Sequence, residues 1–315
     1  MTASKSHINS LEKVQNQALR VITGAMRSTP IEKMQRITGI ASLRTRMESK
    51  AMIMLTKAKA MKDHPIHERS QTCGPSRLKR TSFVREAKTL HENLKEQLPP
   101  EVEPIQTGRT TYDWKDEPGR YRVSSKVPGL HMKDDKSQRD QRILSLEMIE
   151  NNFPPEGWTR VYTDGSAADA VRNGGAGIYI QYQNGNSKSM AEPTGEYCTN
   201  YKAEEYALLI AAKEITDDMG SGYVCSVEPD AQVVFLTDAL SVIQALEGGK
   251  LPRLHSALSN MKCLRVVLQW ISAHCGIPGN EEADRQAKRG ADMEQPETRV
   301  TFREVKTTIK SLHRP

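Results

Sequence analysis

Four carboxylates in this sequence stand where a sheet would hand the chain on to a turn or a helix. In RVYTDGS (160–166), Arg160, Val161 and Tyr162 read as the end of a strand. Asp164 follows at its exit, and Gly165 supplies the backbone freedom of a turn. Glu204 lies near the start of a helix in TNYKAEEYALLIAA (199–212). Asp238 comes just after a fully apolar strand in VVFLTDALSVIQAL (233–246). Asp284 sits in the first turns of a helix in LQWISAHCGIPGNEEADRQAK (268–288). An isolated Asp-Gly pair is most often an ordinary hairpin turn. Four acids in such places carry more weight, because strand–helix boundaries are where α/β sheets gather their sites.

Such a cluster suits phosphodiester hydrolysis. A water attacks phosphorus in line with a leaving 3′ oxygen, and both oxygens carry charge in the transition state. Two divalent cations about 4 Å apart stabilise both. Magnesium keeps waters and substrate oxygens among its ligands, so four carboxylates suffice for a pair of ions. Crowded carboxylates raise one another's pKa without metal, so the site is expected to be acid-sensitive and metal-dependent.

Together these blocks, over roughly residues 155–292, resemble ribonuclease H of type I, the fold that cleaves RNA in an RNA/DNA hybrid. The resemblance implies two Mg²⁺ ions, with Mn²⁺ as a substitute. It implies that Asp164 contacts both ions, that Glu204 and Asp238 serve the leaving-group side, and that Asp284 serves the ion that activates water. His274, ten residues before Asp284 in SAHCGIPGNEEAD, matches the family's mobile histidine and would assist proton transfer or product release. Gly165, Ser166, Thr199, Asn200 and Asn280 match positions that touch the nucleic acid. Glu205 is the rival of Glu204, but it points about 100° around the helix. Ala239 and Leu240 stand where the family often has a small hydroxyl residue and Gln, and Asn200–Tyr201 replaces an Asn–Asn pair. No basic helical insertion is evident between 250 and 264. Metal chemistry is therefore better supported than substrate grip. The alternatives are an inactive nucleic-acid-binding remnant and an integrase-like or Holliday-junction nuclease. Glu204 and the histidine loop speak against the latter.

The chain has 315 residues, room for about two domains, and a net charge of +6. Residues 1–150 carry +10 and residues 151–315 carry −4. A basic half suits a polyanionic partner, whereas any single Lys or Arg is equally well a solvated surface group. The cysteines Cys73, Cys198, Cys225, Cys263 and Cys275 are odd in number and scattered, which argues against a disulfide framework. His64, His67 and Cys73 lack a nearby fourth zinc ligand. The N-terminus lacks an apolar signal core, and no apolar run approaches the ~20 residues that span a bilayer. A hybrid nuclease with these features is expected inside the cell, in cytoplasm or nucleus, without a membrane partner.

Helical spacing of Ile8, Leu11, Val14, Ala18 and Ile22 predicts an amphipathic helix over 7–25. Thr29 as N-cap, Pro30 and Glu32 start a second helix that runs to about 37. A third covers about 41–62. Here LEKVQNQALRVITGAMRSTPIEKM (11–34) looks like the helical stretch that joins polymerase to ribonuclease H in non-LTR retrotransposon proteins. That resemblance implies the C-terminal part of such a protein, with its polymerase as a partner. The division expected is a helical segment at 1–65, a linker-like stretch at 66–154 with one helix near 82–97, a nuclease domain at 155–292 and a tail at 293–315. The basic cluster Arg77, Lys79 and Arg80 belongs to the linker. Strands are expected at about 158–164, 174–182, 186–192, 232–237 and 265–271, and helices at 200–215, 239–247, 251–261 and 278–289. The fold class is thus α/β, ribonuclease H-like. It has a mixed five-stranded sheet flanked by helices and preceded by a small helical segment.

Overall fold

The computed structural model describes residues 4–72, 82–99, 101–105, 121–130, 137–220, 232–263 and 265–315. Among them lie the helices α1 (Lys5–Thr23), α2 (Ile31–Thr38), α3 (Leu43–Ala60), α4 (His67–Gln71), α5 (Phe83–Asn93) and α6 (Gln138–Asn152). They continue with α7 (Asn200–Gly220), α8 (Leu240–Glu247), α9 (Pro252–Ser259), α10 (Pro278–Ala291) and α11 (Phe302–Leu312). The strands are β1 (Tyr121–Ser124), β2 (Trp158–Ala168), β3 (Arg172–Gln181), β4 (Ser187–Gly195), β5 (Gln232–Thr237) and β6 (Arg265–Trp270). They fall into two compact units, Met1–Thr107 with Arg299–Pro315, and Gly108–Thr298.

The first unit is helical. The hydroxyls of Ser4, Ser42 and Ser82 cap α1, α3 and α5 by accepting first-turn N–H groups. Pro30, not Thr29, precedes α2, and no side chain caps that helix, so the capping box expected there does not form. Proline's fixed φ suits the entry instead. The apolar row expected to bury α1 turns outward: Leu11, Val14 and Ile22 are 59%, 63% and 66% exposed. Leu19 is buried, and polar groups hold the inner face. Glu12 accepts the Arg44 N–H, and Gln15 donates to the Ala41 carbonyl. Met34 and Met52 are fully buried, whereas Met54 is half exposed. His67 Nδ1 lies 2.8 Å from the Ala58 carbonyl, and His64 Nδ1 accepts the Ile66 N–H. Cys73, Arg77, Lys79 and Arg80 lie outside the described residues.

The 293–315 stretch, expected as a tail, contains α11. Thr301 and Glu304 close a reciprocal capping box at its start. Val305 and Ile309 are buried, and α11 packs on α3. A parallel bridge joins Val102 to Val300.

The second unit is built on one mixed sheet in the order β1-β6-β5-β2-β3-β4. β2, β3 and β4 form an antiparallel meander, while β2, β5, β6 and β1 run parallel. Strand alternation sends Val161, Val233 and Phe235 to one core, with Leu208, Ile215 and Ile243 of α7 and α8. It sends Tyr162, Val234 and Leu236 to the other, with Ile149 of α6 and Ala283 of α10. β5, covered on both faces, is therefore apolar from Val233 through Leu236.

Two elements of this unit come from the stretch expected as linker. β1 adds a sixth strand beside β6, and Tyr121 Oη lies 2.8 Å from His255 Nδ1 of α9. α6 packs under the sheet, and its Glu150 makes a bidentate pair with the buried Arg160 of β2. No described helix is long and apolar enough to cross a membrane.

Candidate metal-dependent active site

Asp164 is not at a strand exit. β2 runs on through Asp164 and Gly165 to Ala168, with Asp164 opposite Gly177 of β3 and Gly165 opposite Ala176. The turn follows later, where Asp169 and Ala170 take positive φ. Gly165 is needed for another reason. A Cβ there would stand 2.2 Å from the Glu204 backbone nitrogen, so only glycine lets the start of α7 lie on β2. That close approach carries Glu204 to Asp164.

Asp238 arrives by register. Thr163 of β2 pairs in parallel with Thr237 of β5, so Asp164, still within β2, and Asp238, just past the end of β5, stand at one level. One carboxylate oxygen from each of Asp164, Glu204 and Asp238 lies within 4.8 Å of the others. Asp284 comes from above, on α10. A Cβ on Gly177 would meet the Ala283 carbonyl oxygen at 1.9 Å, so this glycine seats α10 against β3. From there the Asp284 carboxylate helps raise the pKa of Asp164, and its Oδ2 accepts from Lys288 Nζ at 2.6 Å.

The electrostatics follow from crowding and burial. Burial and then the Asp238 charge push the Asp164 carboxyl up to about 7, against the pull of the Gly165 N–H on its Oδ1. Burial, then Asp238 and Asp164, lift Glu204 to about 9. Asp238 is raised by burial, while Asn280 and His274 favour its anion. Glu204 Oε2 is buried with no hydrogen-bond partner. Three acids that cannot all ionise unaided, one with an orphaned oxygen, form a donor set that fits a hard divalent cation.

The other expected residues divide. His274 is exposed, with φ of 48°, on the loop between β6 and α10. Asn200 is exposed at the start of α7, and Ser166 is half-buried on β2. Thr199 is buried, and its hydroxyl accepts the Lys202 N–H as a cap of α7. Asn280, expected at the nucleic acid, is 3% exposed and donates from Nδ2 to Asp238 Oδ2 at 3.3 Å. That hydrogen bond ties its amide to the acid, and little of the residue faces outward. Lys288 was not anticipated, although its place four residues after Asp284 on a helix signals the pair.

Residues 157–292 match the family model RNase H. No curated protein matches the chain. Two solved structures are similar over 43% of this chain. One is RNase H1 of the halophilic archaeon Halobacterium salinarum NRC-1, at 19% identity, 98% of its chain covered and a TM-score of 0.34. The other is the N-terminal RNase H domain of a Mycobacterium tuberculosis protein, solved as a fusion with maltose binding protein, at 18% identity, 94% covered and the same TM-score of 0.34. The mixed sheet with helices on both faces is a ribonuclease H-like α/β fold.

Proposed function

We propose that this protein is an endoribonuclease that cleaves the RNA strand of RNA/DNA hybrids with divalent metal, Mg²⁺ by preference and Mn²⁺ as a substitute. The observation that carries this is the triad of buried Asp164 and half-buried Glu204 and Asp238, one oxygen of each within 4.8 Å of the others, inside a stretch matching the RNase H family model. Asp164, Glu204, Asp238 and Asp284 would hold the cations. Once bound, these supply charge stabilisation at the attacking and leaving oxygens of the phosphodiester. The chain's own groups prepare the site. The Gly165 N–H fixes Asp164 Oδ1, and the Asn280 amide steers Asp238 Oδ2. His274 would pass a proton to the leaving oxygen or assist product release, a role supported by its exposure on the loop and its favourable effect on the Asp238 anion.

One observation favours the rival reading of an inactive binding remnant. Ala239, where the family offers a polar contact, is apolar and 4% exposed. A gel decides. Labelled RNA/DNA hybrid, single-stranded RNA and double-stranded DNA are incubated with Mg²⁺ or EDTA, alongside Asp164→Asn. Hybrid-only cleavage that needs Mg²⁺ and disappears in the variant is the expected result. A folded, metal-replete chain that leaves the hybrid intact would establish the remnant. The helical stretch 11–34 supports a retrotransposon origin for the chain, with a polymerase as its partner and cytoplasm or nucleus as its place of work.

A further inference from the structure

Charge is divided between the two units more sharply than between the halves of the sequence. Met1–Thr107 with Arg299–Pro315 carries +13, and Gly108–Thr298 carries −7. The short C-terminal segment, residues 299–315, alone contributes +4. Its arrangement is ordered. At 100° per residue, Arg303, Lys306 and Lys310 of α11 fall within an arc of about 60°, and Arg314 just beyond continues the row. All four are exposed. Val305, Thr308 and Ile309 lie on the opposite face and are buried. The only acid of the segment, Glu304, is 2% exposed and closes the cap at Thr301, so it does not interrupt the row.

We infer that this cationic face of α11 is a docking surface for the phosphate backbone of a nucleic-acid duplex. It would act as a second grip outside the unit that holds the acids. A basic amphipathic helix can also lie on a membrane, but it then needs a free apolar face to insert. Here that face is already buried, and α11 packs on α3. What remains outward is mainly the basic row, with only Leu312 at the helix end apolar and 38% exposed, which fits a polyanion read without base contacts. The inference rests on the proposed hybrid substrate for the choice of duplex. It supplies that substrate with a grip where Ala239, Leu240 and Tyr201 offer little.

The test uses the full chain in EDTA, so that binding is read without cleavage. Fluorescence anisotropy with a labelled RNA/DNA hybrid, and with DNA duplex of the same length, is followed across a salt series. Lys306→Gln, Lys310→Gln and Arg314→Gln combined should weaken both duplexes alike, roughly tenfold or more at low salt. The slope of log affinity against log salt should become shallower by up to about 2.7, near 0.9 per lost phosphate contact. Lys306→Arg with Lys310→Arg should keep the wild-type slope. Unchanged affinity and slope in the Gln variant would overturn the inference, as would a wild-type chain that binds neither duplex. Loss of binding to phosphatidylserine vesicles with duplex binding intact would overturn it in favour of a membrane. A chain that cleaves no hybrid yet loses duplex affinity in the Gln variant would sink the proposed activity and leave the docking surface standing.

Discussion

Lys288 Nζ stands 2.6 Å from Asp284 Oδ2, one turn further along α10, so the fourth acid proposed for the site already has a cation. The lysine is 64% exposed in its side chain and the aspartate 20%, and exposed i,i+4 pairs contribute only about 0.3–0.5 kcal/mol. Lys288→Ala should therefore leave the melting temperature nearly unchanged. It should free Asp284 for metal and tighten divalent-ion binding by about twofold, the equivalent of that pair energy. Calorimetric titration of Mg²⁺ into both proteins measures this. Weaker binding in the variant would show that Lys288 supports the site and does not compete for it.

The raised carboxyls make the metal-free protein sensitive to pH in a definite direction. Asp164 at about 7 and Glu204 at about 9 hold protons in the folded state that they have lost in the unfolded chain. Their contribution to stability is complete below about pH 4, the ordinary carboxyl range, and is lost as pH rises towards 7 and 9. In EDTA the Asp164→Asn protein should therefore gain over wild type as pH rises from 5 to 8. Saturating Mg²⁺ should shrink that gain. Thermal denaturation at each pH, with and without metal, supplies the comparison. A gain that shrinks with rising pH would contradict the assigned burial of charge.

Gly177 seats α10, and the fit leaves no room for a methyl group, since an added Cβ would lie 1.9 Å from the Ala283 carbonyl oxygen. Gly177→Ala should cost about 3 kcal/mol or more, at or above the upper end for overpacking. It should also impair hydrolysis before unfolding, because Asp284 moves with α10. Gly157→Ala, whose Cβ meets nothing closer than 3.9 Å, should stay within about 0.5 kcal/mol of wild type. Urea denaturation of both variants tests the contrast.

The acids were legible because each lies in a segment with strong periodicity. β5 holds the apolar run Val233–Leu236 shortly before Asp238, and α7 has apolar spacing around Glu204. The Asp-Gly turn misled because local turn chemistry is ambiguous, and only the approach of α7 explains Gly165. β1 escaped notice for a similar reason. Four residues of mixed polarity in a charged stretch carry no period, and their pairing is supplied by β6, more than 130 positions away. α11 was readable in principle. Its Thr301–Glu304 capping box and the spacing of Val305 and Ile309 are local signals that tail-like composition masked.

The pairing of β1 with β6 bears on which fragment can stand alone. A piece cut to residues 157–292 would leave β6 as a bare sheet edge, its N–H and C=O groups offered to any passing strand. It would also strip Met148 and Ile149 from the lower core and leave the Arg160 guanidinium without Glu150. Such a fragment should be more prone to self-associate in solution than one that begins ahead of Tyr121, in which β6 stays paired and only the four-residue β1 forms that edge. The smallest separable form of this sheet is therefore longer than the stretch the family model covers.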